Sequence, residues 1–141
     1  MRTATELLQT YIHSSAQEAA ALFAADGALE LPYLEDFGIE PRYEGPEKIG
    51  TFLTFLYEKK YRDAKLVDEK IYIDTFDQAF GEYTIRLKSR ISGKDEHKRL
   101  FGHCTAVDGK IVLLREAPNV LAAAHGTFAC GLSGVVNRQR L

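Results

Sequence analysis

Hydrophobic and polar positions change period along the chain, from a helical rhythm near the N-terminus to a two-residue alternation in the second half. Thr3-x-x-Glu6 and Ser15-x-x-Glu18 both match the capping box, in which a hydroxyl and a glutamate satisfy the orphan N–H groups of a helix start. Behind the first, Ala4, Leu8, Tyr11 and Ile12 share a side; behind the second, Ala16, Ala19, Ala20 and Phe23 do. The pattern predicts two helices separated at Ser14-Ser15. Asp26-Gly27 is expected to break the helix that runs through Leu22 and Phe23, because glycine takes positive φ cheaply.

The stretch from Leu22 to Leu56 organises the rest. A strand through Ala28, Leu29 and Leu31 is ended by Pro32, and an aromatic, proline-containing lid follows over Leu34–Glu44. Gly45-Pro46 opens a third helix carrying Phe52, Phe55 and Leu56, with the proline in the first turn, where its missing N–H costs nothing. Aromatics from lid and helix are expected to close over one side of a sheet and leave a half-open apolar cavity.

Leu66–Thr75 reads as the next strand, with Leu66, Ile71 and Ile73 among its apolar positions, and Asp74–Gln78 as a turn. Alternation is clearest in Gly81–Ile91. Tyr83, Ile85, Leu87, Ser89 and Ile91 point one way, while Glu82, Thr84, Arg86, Lys88 and Arg90 form a solvated face. After a hairpin loop at Ser92–Asp95, the strand Glu96–Val107 places Leu100, Gly102, Cys104 and Ala106 opposite Phe101, His103, Thr105 and Val107. Asp108-Gly109 is a two-residue hairpin turn, and Lys110–Pro118 is the last strand. Helices first and a long antiparallel meander last indicate an α+β protein whose helices cover one sheet face.

A chain of 141 residues can bury a core as one domain, expected over residues 1–118. Residues 119–141 form an extension with Gly126, Gly131 and Gly134, too apolar for a typical disordered tail and too glycine-rich for one firm helix. It is expected to cover the cavity mouth, to pack on a partner subunit, or to end as a partly ordered terminus. A net charge of −2 gives no electrostatic case for nucleic acid or an acidic membrane. No transmembrane run or basic-then-apolar leader pattern is seen, and Cys104 and Cys130 make no disulfide framework, so the expected compartment is the cytoplasm. Neither zinc-ligand spacing, nor a phosphate loop, nor a dinucleotide fingerprint appears, and no cofactor is expected.

The run Phe23-Ala-Ala-Asp26-Gly27-Ala-Leu29-Glu-Leu31-Pro32, followed by Gly45-x-x-x-Ile49-x-x-Phe52-Leu53, resembles the nuclear transport factor 2-like superfamily. Within it the likeness is to the ketosteroid isomerase and SnoaL-like polyketide cyclase branch, over about residues 3–118. The resemblance implies a strongly curved, mostly antiparallel sheet wrapped as a cone around N-terminal helices, a conical pocket, and a homodimer. It does not fix an activity. Carried over residue by residue, the isomerase's oxyanion-hole tyrosine falls on Tyr11, its general-base aspartate on Leu31, and its second aspartate near Gly102. Leucine accepts no proton and glycine donates no side-chain hydrogen bond, so that mechanism by the usual residues is disfavoured.

The resemblance also selects the inward face. Leu29, Leu31 and Tyr33 are expected to share it with Tyr83, Ile85, Leu87, Leu100, Cys104, Val112, Leu114 and Glu116. Glu116 is then a carboxyl among leucines and tyrosines, where lost solvation raises its pKa toward the range of a general acid or base. Tyr11 or Tyr83 would donate to a developing oxyanion. The structural alternative pairs Glu116 with Arg42 or Arg99, or leaves it at a solvated strand end. His103 alternates away from Cys104, so a Cys–His pair is not expected. A one-residue slip would bring His103 into the pocket as the base; the unslipped register puts it on the outer face, at a dimer contact. Tyr33, Phe37, Arg42 and Tyr43 in the lid would clamp a planar or carboxylated ligand, or else bury against the third helix.

Three readings follow. The first is a cofactor-free isomerase, cyclase or dehydratase for a hydrophobic, oxygenated, polycyclic or aromatic compound, with Glu116 or His103 as acid–base group and Tyr11 or Tyr83 as donor. Its ligand would meet Leu31, Tyr33, Phe37, Tyr43, Phe52, Phe55, Leu56, Tyr83, Ile85, Leu87, Cys104 and Leu114. The second is a binding module with the same cavity and no turnover. The third is an interaction domain that joins other chains through the face bearing Phe101, His103 and Thr105.

Overall fold

Both capping boxes form. Thr3 Oγ1 accepts from the Glu6 N–H at 3.2 Å, and Glu6 returns the favour to the Thr3 N–H at 2.8 Å, starting helix α1 (Ala4–His13). Ser15 and Glu18 do the same for α2 (Ala16–Ala20). The structure is a computed structural model that describes residues 1–127; the rest of the expected extension, including Cys130, Gly131 and Gly134, lies outside the described residues. Helix α1 buries Ala4, Leu7, Leu8 and Tyr11, and His13 in its last turn lies 3.2 Å from Glu69.

Helix α2 is shorter than its periodicity suggested, because Phe23 already belongs to strand β1 (Phe23–Glu30). Asp26-Gly27 therefore breaks no helix. It lies inside β1, where pairing with the last strand shifts register between Phe23 and Ala28. What Gly27 supplies is room, since a Cβ there would sit 2.5 Å from the carbonyl oxygen of Ile111. Expected to break a helix, the dipeptide instead serves a close approach of two backbones.

Strand β1 ends at Glu30, and Pro32 opens a 3-10 helix, Pro32–Phe37. The remainder of the lid includes a short strand β2 (Arg42–Glu44), antiparallel to β1 with Tyr43 opposite Leu29. Helix α3 (Pro46–Thr54) begins on Pro46 and passes directly into a π-helical segment, Phe55–Lys60. Ile49, Phe52, Leu53 and Leu56 define its buried stripe at i, i+3, i+4 and i+7. Phe55 falls off the edge of that stripe and is 49% exposed.

Four strands complete the sheet: β3 (Tyr61–Asp74), β4 (Gln78–Ser89), β5 (Asp95–Val107) and β6 (Lys110–Pro118). Tyr83, Ile85, Leu87 and Ser89 are buried as the alternation requires, whereas Ile91 leaves the sheet in the following turn and is exposed, and Thr84, expected on the solvated face, is buried. Asp108 and Gly109 both take positive φ, 50° and 71°, the twist that a tight hairpin demands. The strand order is β2-β1-β6-β5-β4-β3, and β1 runs parallel to β6 while the other pairs are antiparallel. The result is a six-stranded mixed sheet that does not close, an α+β cone with helices packed against it.

One inward assignment is corrected here. Thr105 pairs with Leu113 and Ala106 with Ile111, so Val112 is the extra residue of a bulge in β6. Ile111 is fully buried in its place, and Val112 is only partly covered. Beyond β6 the chain continues into helix α4 (Val120–Thr127), whose Ala123 and Ala124 are buried. Asn119 anchors its start: its N–H donates to the Arg99 carbonyl at 2.9 Å, and its Oδ1 accepts from the Ala122 N–H at 3.2 Å. No helix among the described residues is long and apolar enough to cross a membrane.

The contact at Gly27 gives a direct test. Gly27→Ala forces β1 away from Ile111 and is expected to destabilise the fold by about 2–3 kcal/mol. A urea midpoint lowered at unchanged m-value is the expected result. An unshifted midpoint would show that the β1–β6 approach carries no such constraint.

Candidate active site

Glu116 reaches the interior because β6 alternates regularly again beyond its bulge: Leu114 and Glu116 are buried, and Arg115 between them points outward to Glu30 at 3.1 Å. Glu116 is 8% exposed, and its partners are two phenols. Tyr11 Oη, from α1, donates to Oε1 at 3.2 Å, and Tyr83 Oη, from β4, donates to Oε2. The arginine pairing does not occur. Arg42 is engaged with Glu30 at 2.9 Å and Glu44 at 3.6 Å, and Arg99 lies on the exposed face of β5.

Gly102 makes the second contact possible. It pairs with Glu116 across β5–β6 and with Gly81 across β4–β5, while Tyr83 pairs with its neighbour on that face, Leu100. The Tyr83 ring therefore lies diagonally over Gly102 to reach the next strand. A Cβ on Gly102 would stand 2.5 Å from Tyr83 Oη and 2.9 Å from Cε1. The position at which the isomerase pattern needs an aspartate is here the opening through which a phenol passes.

Burial raises the Glu116 pKa above the ordinary carboxylate value; the hydrogen bond from Tyr83, the Lys98 charge and the hydrogen bond from Tyr11 pull it down without cancelling the rise. The Tyr11 and Tyr83 phenols are pushed well above their usual value, first by burial and then by the Glu116 charge, so both stay protonated as donors. Tyr57 is raised for the same two reasons.

These groups open onto a cavity of about 580 Å³, the size of a small-molecule site. Of the residues expected from sequence, Tyr11, Leu31, Phe52, Leu56, Tyr83, Ile85 and Glu116 line it. Tyr57 and Lys98 also line it and were not foreseen. Lys98 lies one inward step from Leu100 and opposite Ile85, so alternation alone pointed to it; its charge argued for the solvated face. Tyr57 comes from the π-helical segment, for which helical periodicity gives no signal.

Other expected residues lie elsewhere. Leu87, Cys104 and Leu114 are buried core outside the cavity lining, and burial lifts the Cys104 thiol to about 12. Tyr33 is 62% exposed, because the 3-10 helix at Pro32 ends the alternation that would have turned it inward. Phe37 packs at the core margin, and Tyr43 stacks on Phe52 with centroids 4.0 Å apart. Arg42 is paired with two carboxylates, and Tyr43 packs the lid against α3, as the second of the two expectations had it. Phe55 faces outward.

His103 is not in the cavity. The register pairs it with Arg115 and Phe80 on the outer face, where Nε2 lies 2.6 Å from Gln78 Oε1. Beside it Phe80 and Phe101 stack at 5.3 Å, Tyr72 lies 6.4 Å from each, and Phe101 is 40% exposed.

No family model matches the sequence, and no curated protein matches it. Solved structures do match. An isomerase candidate from Bacillus subtilis superposes with a TM-score of 0.75 at 18% identity, covering 87% of this chain and 91% of its own. A polyketide cyclase candidate from Pseudomonas putida gives 0.75 at 17% identity, with 91% and 100% covered. TerC, co-crystallised with polyporic acid, gives 0.73 at 15% identity, with 88% and 97% covered. Further matches are described as ketosteroid isomerase-like in fold or as nuclear transport factor 2-like. At these identities the likeness is one of fold alone: a ketosteroid isomerase-like, nuclear transport factor 2-like fold.

Proposed function

We propose that this protein binds a hydrophobic, oxygenated compound of aromatic or polycyclic type and moves a proton on it, as an isomerase, cyclase or dehydratase that works through its own side chains. The observation that carries this reading is a buried carboxyl, Glu116, held by Tyr11 and Tyr83 at the wall of a largely apolar cavity. When Glu116 is ionised, both phenols donate to it and it can accept a proton from carbon or oxygen. When it is protonated, its O–H turns to one phenol oxygen and releases that phenol's own O–H toward a substrate oxygen. A single proton thus switches the site from base to acid plus oxyanion donor. A neighbour in fold crystallised with polyporic acid supports an oxygenated ring system as ligand.

Native mass spectrometry of freshly purified protein, with extraction of any retained compound, is the direct route to that ligand. With a substrate in hand, Glu116→Gln is expected to abolish turnover while affinity stays within about tenfold, ~1.4 kcal/mol. Undiminished turnover in that variant removes Glu116 from the acid–base role.

Stability gives a ligand-free test of the same group. A carboxyl whose folded pKa is raised binds its proton more tightly folded than unfolded, so stability falls as pH climbs from the unfolded value, near 4.3, through the folded one. Glu116→Gln has no charge to bury. Its melting temperature should therefore gain on wild type as pH rises through that window and match it most closely at the acid end. Parallel curves for the two proteins across that range would contradict a raised Glu116 pKa.

The same fold offers an outer sheet face on which Tyr72, Phe80, Phe101 and His103 cluster. We propose a homodimer through it, with copies of this cluster packed together. Sedimentation should give a dimer at micromolar concentration that Phe101→Glu dissociates; a wild-type monomer there refutes it.

A further inference from the structure

The cavity carries a second reactive group that the acid–base scheme leaves unused. Lys98 lies on β5 at an inward position, across from Ile85 on β4 and one inward step from Leu100, and it lines the same cavity as Glu116. It has no hydrogen bond or ion pair among the described residues; its nearest recorded contact is the Tyr61 ring, with Nζ 5.6 Å from the centroid. A second amine, Lys60, stands 5.2 Å from the same centroid and is only 7% exposed, but it does not line the cavity. Glu96 is the carboxylate nearby, 4% exposed, and its Oε2 makes no hydrogen bond. Lys60, buried, and Lys98, half-buried, thus lie near Glu96, Lys98 is also in the field of Glu116, and neither amine forms an ion pair with a carboxylate among the described residues.

We propose that Lys98 is a carbonyl-capturing amine: its Nζ forms a Schiff base with an aldehyde or ketone bound in the cavity. The neutral nitrogen adds to the carbonyl carbon, and the C=O π pair moves to oxygen, which takes a proton. Loss of a second proton from nitrogen and departure of the hydroxyl as water leave a C=N bond, and hydrolysis reverses each step. No oxidant or reductant is consumed. Burial lowers the Lys98 pKa against the opposing charges of Glu116 and Glu96, which enlarges the neutral share of its amine, and Lys60 falls to about 8 through burial and the Lys98 charge. A desolvated lysine is one way in which proteins make such a nucleophile.

This inference needs the cavity and Lys98, not turnover by Glu116, and the two can fail separately. The probe is benzoylacetone, an aromatic diketone whose imine rearranges to a stable enaminone, so capture is read without a reductant. Intact mass should rise by one benzoylacetone less one water, with the label mapped to Lys98. Lys98→Met should abolish that label with the near-ultraviolet circular dichroism of the fold retained, and Lys60→Met and Glu116→Gln should keep it. An unlabelled wild type, or label spread over exposed lysines and indifferent to Lys98→Met, overturns the proposal whatever Glu116→Gln does to turnover.

Discussion

The candidate site depends on a carboxyl held almost out of reach of water, 8% exposed at the cavity wall. An isolated carboxylate in an apolar interior costs several kcal/mol, and proteins tolerate one only when donors or counter-charges surround it. Here the donors come from far along the chain, Tyr11 at a sequence separation of 105 and Tyr83 at 33, and only the folded sheet brings them together. Helix α1 lies across the sheet with Tyr11 at its last turn, and strand β4 aims Tyr83 across a glycine. Even so, burial wins over both hydrogen bonds and the Lys98 charge, and the carboxyl holds its proton more strongly than in water.

That balance bears on the proposed function because packing alone does not call for it. Leu114, two residues earlier on the same face, is fully buried without a polar partner, and a leucine at 116 would pack by the same rule. Replacing a buried polar network with apolar side chains is often neutral or stabilising. Gly102 tells the same story, since it gives up a buried side chain so that a phenol can reach the carboxyl. Two positions that would ordinarily serve packing hold a buried carboxyl and admit its donor instead, a departure of the kind expected at a functional centre.

Much of the fold was legible because its signals are local. Two capping boxes, a positive-φ hairpin dipeptide and strict alternation in β5 each act within a few residues, and each formed as read, while β4 departs at Thr84, which is buried between Tyr83 and Ile85. The inward direction of Glu116, Tyr83 and Tyr11 followed from alternation joined to a family likeness. The failures share a cause, an irregularity that shifts phase without marking the sequence. A bulge swaps Val112 for Ile111, a 3-10 helix turns Tyr33 outward, and a π-helical segment brings in Tyr57. Asp26-Gly27 was misread for a related reason, because the glycine answers to a neighbouring strand that only the tertiary fold reveals.

The spacing of the cavity's reactive groups constrains what it can hold. Successive inward positions on a strand are about 6.7 Å apart, so the rows of Lys98 and of Gly102 with Glu116 are separated by ~13 Å at the backbone. Leu100 and Tyr83 fill the row between them. Side chains reaching inward shorten that gap but do not close it, because Lys98 and Glu116 form no ion pair among the described residues. A compound with one oxygen function would meet one end only. On the proposed reading, a rigid molecule a few rings long, with oxygens at both ends, is what would meet the amine and the carboxyl together in a cavity of about 580 Å³.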